Sequence, residues 1–392
     1  MNALVKTLRE GFPLEWISKH RNAIYGLCIV WIVFFHATAI NKVYDLYYEP
    51  GFRWLYNIVG MGNVGVDIFL FLSGISLYYS FSKNPNTKQF YTKRLIRIVP
   101  AVWLIDGIYW FIRYVVLKGD MGNFLSRMST MRFWITGDET IWFVSTIIVL
   151  YLLYPLIYRW LYCKPKGIIW RFVALLALTY GMIALVATCL PAWYDKVEVG
   201  LTRFPVFMMG CFAGKYVKEC RHINWVFILL AVVCSCLFFV IIHMKVFTGM
   251  YKRFFYAFGG VSLTFTFTLF FELCTRITKN PDLGLIKFFT WVGGFSLELY
   301  LSHIMLNQVL RLQDFYVKGD FIQYAAMACC ALVVAWTAKK IIDIVLKKHT
   351  LKLRQQTNEA HISVEQASSD VGKPTFVPQE PIPQEEPHDS RG

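Results

Sequence analysis

The 392 residues are 56% hydrophobic and 17% aromatic, with only 17% charged, against about 25% charged in a soluble domain; this excludes an ordinary water-soluble fold. The net charge of +15 does not indicate a nucleic-acid partner, because Lys and Arg occur as short clusters between apolar runs, not along one extended face. Ten cysteines show no CxxC or Cys/His spacing, so neither a disulfide framework nor a metal site is expected.

Apolar runs long enough to cross a ~30 Å hydrocarbon core recur in chain order. They predict about ten transmembrane helices, over 22–40, 57–81, 98–117, 141–158, 168–190, 199–214, 223–243, 254–275, 286–310 and 321–346. The first lacks the marks of a cleavable signal and is long enough to remain in the bilayer. Alternate connections differ in basic content. One set carries clusters such as Lys83, Lys88, Lys93, Arg94 and Arg97, or Lys339, Lys340, Lys347 and Lys348, while the other holds fewer, such as Lys42 and Arg53. Basic loops stay in the cytosol, so both ends are expected there. The expected fold is therefore an all-α integral membrane bundle, N-in/C-in. Residues 1–21 form a cytosolic N-terminal segment, 22–346 the transmembrane domain, and 347–392 a cytosolic tail. From about Gln355 the tail turns Pro-, Gln- and Glu-rich and is expected to be mostly disordered.

Ionisable groups inside a bilayer are costly and mark function. His36 lies about 20 Å along the first helix at 1.5 Å per residue, in the outer half. Asp67 on the second helix, Arg113 on the third, Arg203 on the sixth and His303 on the ninth fall at comparable depth. Ser296, Tyr300, His303 and Asn307 follow i, i+4, i+7, i+11 spacing, a single polar stripe that should face the bundle interior. Blander readings stand beside these: His36 as a packing residue, His303 at the lipid interface, Asp67 as a helix cap or a partner for Arg113. Arg94 and Arg97, one turn apart at the cytosolic edge, read either as topology signals or as a pair suited to grip phosphate.

The segments Tyr25-Gly-Leu-Cys-Ile-Val-Trp-Ile-Val-Phe-Phe-His36, Asn63-Val-Gly-Val-Asp-Ile-Phe-Leu-Phe-Leu-Ser-Gly74 and Arg94-Leu-Ile-Arg-Ile-Val-Pro100 occur in this order. Ile141-Trp-Phe143, Tyr154-Pro155 and Ser296-Leu-Glu-Leu-Tyr-Leu-Ser-His303 follow. Together they resemble the membrane acyltransferases of acyltransferase family 3, over roughly residues 20–346. The resemblance implies transfer of an acyl group, commonly acetyl, from cytosolic acyl-CoA to a hydroxyl of a cell-surface polysaccharide, lipopolysaccharide or lipid-linked glycan. It implies a multi-pass protein of a cell membrane, such as the bacterial inner membrane, with no permanently bound cofactor. On this reading His36 is the catalytic base, with His303 and Asp67 as catalytic partners. Arg21, Tyr25, Arg94 and Arg97 would meet acyl-CoA, and Arg113, Tyr300, Trp142 and Arg203 would hold the oxyanion or the acceptor. One departure stands out: the family carries Arg or Lys where this chain has Tyr25, and Arg21, one turn below, is the available charge. A polytopic transporter or flippase of a lipid-linked glycan is the competing reading, although the sequence offers no clear pair of Gly/Pro-broken helices of the kind that marks transporter sites.

Overall fold

The computed structural model describes residues 10–39, 53–247, 249–280, 284–312 and 321–371. It is nearly all helix. The exception is a two-residue strand pair, β1 (Phe12–Pro13) antiparallel to β2 (His222–Ile223). The helices are α1 (Glu15–Ala39), α2 (Arg53–Val59), α3 (Val64–Lys83), α4 (Thr87–Val116), α5 (Met121–Met128), α6 (Arg132–Thr136), α7 (Trp142–Tyr162) and α8 (Ile168–Cys189). They continue with α9 (Pro191–Leu201), α10 (Phe204–Lys218), α11 (Trp225–His243), α12 (Gly249–Thr278), α13 (Gly284–Gly293), α14 (Ser296–Leu312) and α15 (Phe321–Val371).

Among the described residues six helices are long and apolar enough to span a membrane: α3, α4, α7, α8, α11 and α12. The expected count of about ten included two spans that are each broken in two. The sixth becomes α9 and α10, because Pro205 has no N–H to give the Leu201 carbonyl, so the helix stops at Leu201 and restarts. The ninth becomes α13 and α14, parted by Gly293-Gly294, a pair with poor helix propensity. The sequence offers no clear pair of interrupted helices; among the described residues the structure has two.

Packing follows from small residues. A Cβ on Gly210 of α10 would lie 2.1 Å from the Phe71 carbonyl of α3, so these backbones touch, and α3 is buried along most of its length. A Cβ on Gly293 of α13 would lie 1.9 Å from the Asn22 carbonyl of α1. Such close crossings are the usual means of joining helices in lipid, where apolar side chains gain little by meeting each other. By contrast α8 and α11 leave most of their apolar side chains uncovered, among them Trp170, Leu178 and Leu229, as helices at a bundle rim in lipid should.

The chain forms two compact units, Met1–Lys340 and Ile341–Gly392. The helix expected to end near 346 runs on to Val371, through a stretch whose Leu, Lys, Gln, Glu and Ala favour helix whatever their polarity. The Pro-rich remainder of the expected tail, and residues 1–9, lie outside the described residues.

Candidate active site

Three polar contacts, each with at least one buried partner, pin the interior of the first unit. The first joins α1 to α14: His36 Nδ1 lies 2.8 Å from His303 Nε2, and His303 Nδ1 lies 2.8 Å from the Leu299 carbonyl. The imidazole rings stack with centroids 5.0 Å apart, and His303 is 1% exposed. A carbonyl only accepts, so His303 Nδ1 carries the hydrogen. With a neutral His303, its Nε2 accepts, His36 Nδ1 donates, and the His36 lone pair sits on Nε2. His303 is buried and not at an exposed surface, while the hydrogen bond of half-buried His36 fits a packing role as well as a chemical one.

The second contact joins α3 to the break between α9 and α10. Asp67 and Arg203, both almost fully buried, pair at 3.6 Å. The guanidinium also donates to the Val199 carbonyl and lies 4.8 Å over the Trp142 ring. Asp67 therefore partners Arg203, and neither of the expected alternatives, Arg113 or His36, takes that place. The third joins α4 to α14: Arg97 grips buried Glu298 through two bonds of 3.0 and 3.4 Å.

Two cavities lie between these contacts. The larger, about 290 Å³, has Asn22, Tyr25, Ser73, Arg97, Tyr151 and Ser296 in its polar wall, Arg97 being its basic lining residue. The smaller, about 200 Å³, is bounded by His36, Asn63, Glu139, Trp142, Arg203 and Arg253. Ile32, Val66 and Tyr300 line both, so the two meet at these three side chains. Arg97 and His36 thus stand in adjoining cavities that share Tyr300 in their walls. Tyr25 stacks on Phe69 at 4.8 Å in the Arg97 cavity, and Ser73 and Tyr151 bond each other at 2.9 Å.

The sequence-predicted residues sort accordingly. His36, Asp67, Arg203, His303, Tyr300 and Trp142 come together, and Tyr25 and Arg97 line the larger cavity. The polar stripe of α14 faces inward throughout, with Ser296, Tyr300, His303 and Asn307 all buried. Arg113 stands apart. It bonds Tyr109 one turn away at 2.7 Å and lies over the Tyr109 and Tyr114 rings, lining neither cavity. Arg94 lies over Phe90 and Tyr151 and is likewise absent from the cavity wall, as is Arg21, which donates to Ser76 Oγ at 3.2 Å.

Sequence reasoning missed Glu139 and Arg253, which fell in presumed external flanks, and Tyr151, a face-mate of Phe143 and Ile147 on α7. It also passed over three acidic residues in apolar surroundings, Asp106, Glu272 and Glu298, to which the criterion applied to Asp67 extends without change. Asp106 is fully buried in a π-helical turn, Trp103–Gly107, and neither carboxylate oxygen has a hydrogen-bond partner among the described residues. Such turns are frequent at functional sites.

Comparison with known proteins gives one match. The family described as an acyltransferase domain matches residues 22–340, a range that includes every residue lining the two cavities. No curated protein and no solved structure matches the chain.

Proposed function

The chain belongs to acyltransferase family 3, and from that premise we propose that it moves an acyl group, acetyl foremost, from acyl-CoA to a hydroxyl of a cell-surface polysaccharide, lipopolysaccharide or lipid-linked glycan. The observation that supports this best is the imidazole pair beside a cavity that adjoins the one holding Arg97. The donor's phosphates dock at the Lys/Arg-rich end near Arg97, Arg94 and Arg21, and its pantetheine arm follows Tyr25, Ser73 and Tyr151. The thioester then sits at the junction formed by Ile32, Val66 and Tyr300, and the acceptor reaches His36 past Trp142, Glu139 and Arg253. The setting is a cell membrane, with the bacterial inner membrane as the natural host.

In the chemical step the acceptor hydroxyl gives its proton to His36 Nε2 as its oxygen attacks the thioester carbonyl. The tetrahedral intermediate collapses by breaking the C–S bond, and the thiolate regains that proton from His36, leaving ester and free CoA. His303 fixes the tautomer that makes Nε2 the base. The developing oxyanion needs a donor. Arg113 is too remote, and both His303 nitrogens are engaged. The Tyr300 hydroxyl is buried at the junction itself, with no well-aligned partner among the described residues. It takes the oxyanion role, with Arg203 adding positive potential from behind.

The two interrupted helices favour a second reading, since broken helices often line transporter sites; on that reading the two cavities carry a lipid-linked glycan across the membrane. One experiment separates the two. Purified protein is incubated with labelled acetyl-CoA and membrane glycans. Alkali-labile label that disappears in a folded His36→Ala variant supports acyl transfer, whereas glycan translocation with no label incorporated supports the transporter.

A further inference from the structure

Opposite the donor path, α1 lines a second opening of about 390 Å³. Lys19, His20 and Lys287 give it a polar wall, and Ala23, Ile286 and Trp291 an apolar one. It shares no lining residue with either cavity of the active site. The tight crossing of α1 and α13 at Gly26 and Gly293 stands between them, with Asn22 and Tyr25 facing one side and Ala23 the other.

The charge there is unbalanced. Buried Glu272 of α12 accepts from Lys19 Nζ at 2.6 Å, His20 Nε2 at 2.8 Å and Arg276 Nε at 2.8 Å. Lys287 is exposed and has no ion-pair partner among the described residues. Among these described groups, one carboxylate stands against three permanent cations, two of which are bonded to it. A site that needs anionic charge, floored by apolar side chains and edged by a tryptophan of the kind found at membrane interfaces, suits an amphiphile with a phosphate head. Soluble phosphate would satisfy the cations and leave the apolar wall bare.

We propose that this opening binds the phosphate headgroup of an anionic phospholipid between Lys19 and Lys287, with an acyl chain lying along Ala23, Ile286 and Trp291. The assignment does not depend on acyl transfer. The test is native mass spectrometry of the full-length protein in detergent, titrated in parallel with phosphatidylglycerol, phosphatidylcholine and inorganic phosphate. Phosphatidylglycerol adducts should persist where the other two do not. Lys287→Ala, which leaves every contact of Glu272 intact, should weaken them about fivefold, and Lys19→Ala with Lys287→Ala about thirtyfold, at roughly 1 kcal/mol per basic group near a lipid phosphate. Equal retention of the two lipids, or unchanged phosphatidylglycerol binding in the Lys287→Ala variant, overturns the proposal. Displacement of the lipid by coenzyme A also overturns it, since the opening would then belong to the donor's phosphates.

Discussion

Tyr300 is one of three side chains that line both cavities, and its hydroxyl has no well-aligned partner among the described residues. A group that donates only to a developing oxyanion lowers the barrier without tightening substrate binding. Tyr300→Phe should therefore cut kcat by about a hundredfold with little change in KM, measured as acetyl-CoA turnover; a rise in KM at constant kcat would place this hydroxyl on the substrate in its ground state. At the other end of the polar range sits Asp138, between α6 and α7. Partial burial pushes its carboxyl up, but bonds from Thr140 and the charges of Arg127 and Arg132 outweigh that and hold it below the usual range. Since the folded group titrates lower than the unfolded one, its stabilisation is complete above about pH 4 and fades as pH falls through the folded value. Asp138→Asn should flatten the acid side of a thermal-stability profile and leave the neutral plateau merely lowered. His36 and His303 were legible as residues because a bilayer makes imidazole conspicuous. Their direct contact was not, for depth can be counted along a helix while azimuth depends on neighbours that the sequence does not order.

Between elements, the ion pair of Asp67 and Arg203 holds α3 against the restart of the broken sixth span. Both partners are sequestered, so removing one strands the other's charge, at a cost of about 3–5 kcal/mol, while removing both costs much less. Asp67→Asn should lower the unfolding temperature in detergent more than the double variant Asp67→Asn with Arg203→Gln does; simple additivity would show that the two do not act on each other. The individual apolar runs were readable from composition, including the rim helices α8 and α11. The interruptions were not, although Pro205 and Gly293-Gly294 were in plain view, because a hydropathy window averages across a break. Arg113 lines neither cavity for a related reason: α4 winds through two π-helical turns, Trp103–Gly107 and Phe111–Val116, which shift the register of the side chains they carry.

For the molecule as a whole, the asymmetry of its basic loops makes a claim about sidedness that solvent-accessible thiols can check. Cys163 and Cys220 are exposed on Lys/Arg-rich connections, and exposed Cys189 ends α8 at the other side. In sealed right-side-out vesicles, single-cysteine variants should react with a membrane-impermeant maleimide at Cys189 only, with Cys163 and Cys220 following once the membrane is opened. The reverse pattern would invert the bundle and put the donor approach on the wrong face for a cytosolic thioester.

The contact between residues 36 and 303 spans 267 positions of chain. During synthesis the first imidazole is laid into the bilayer long before its mate exists, so the bond between them forms only after 267 further positions have been made. On the proposed reading, a chain released before α14 would lack the partner that orients its base, however well its opening helices have inserted.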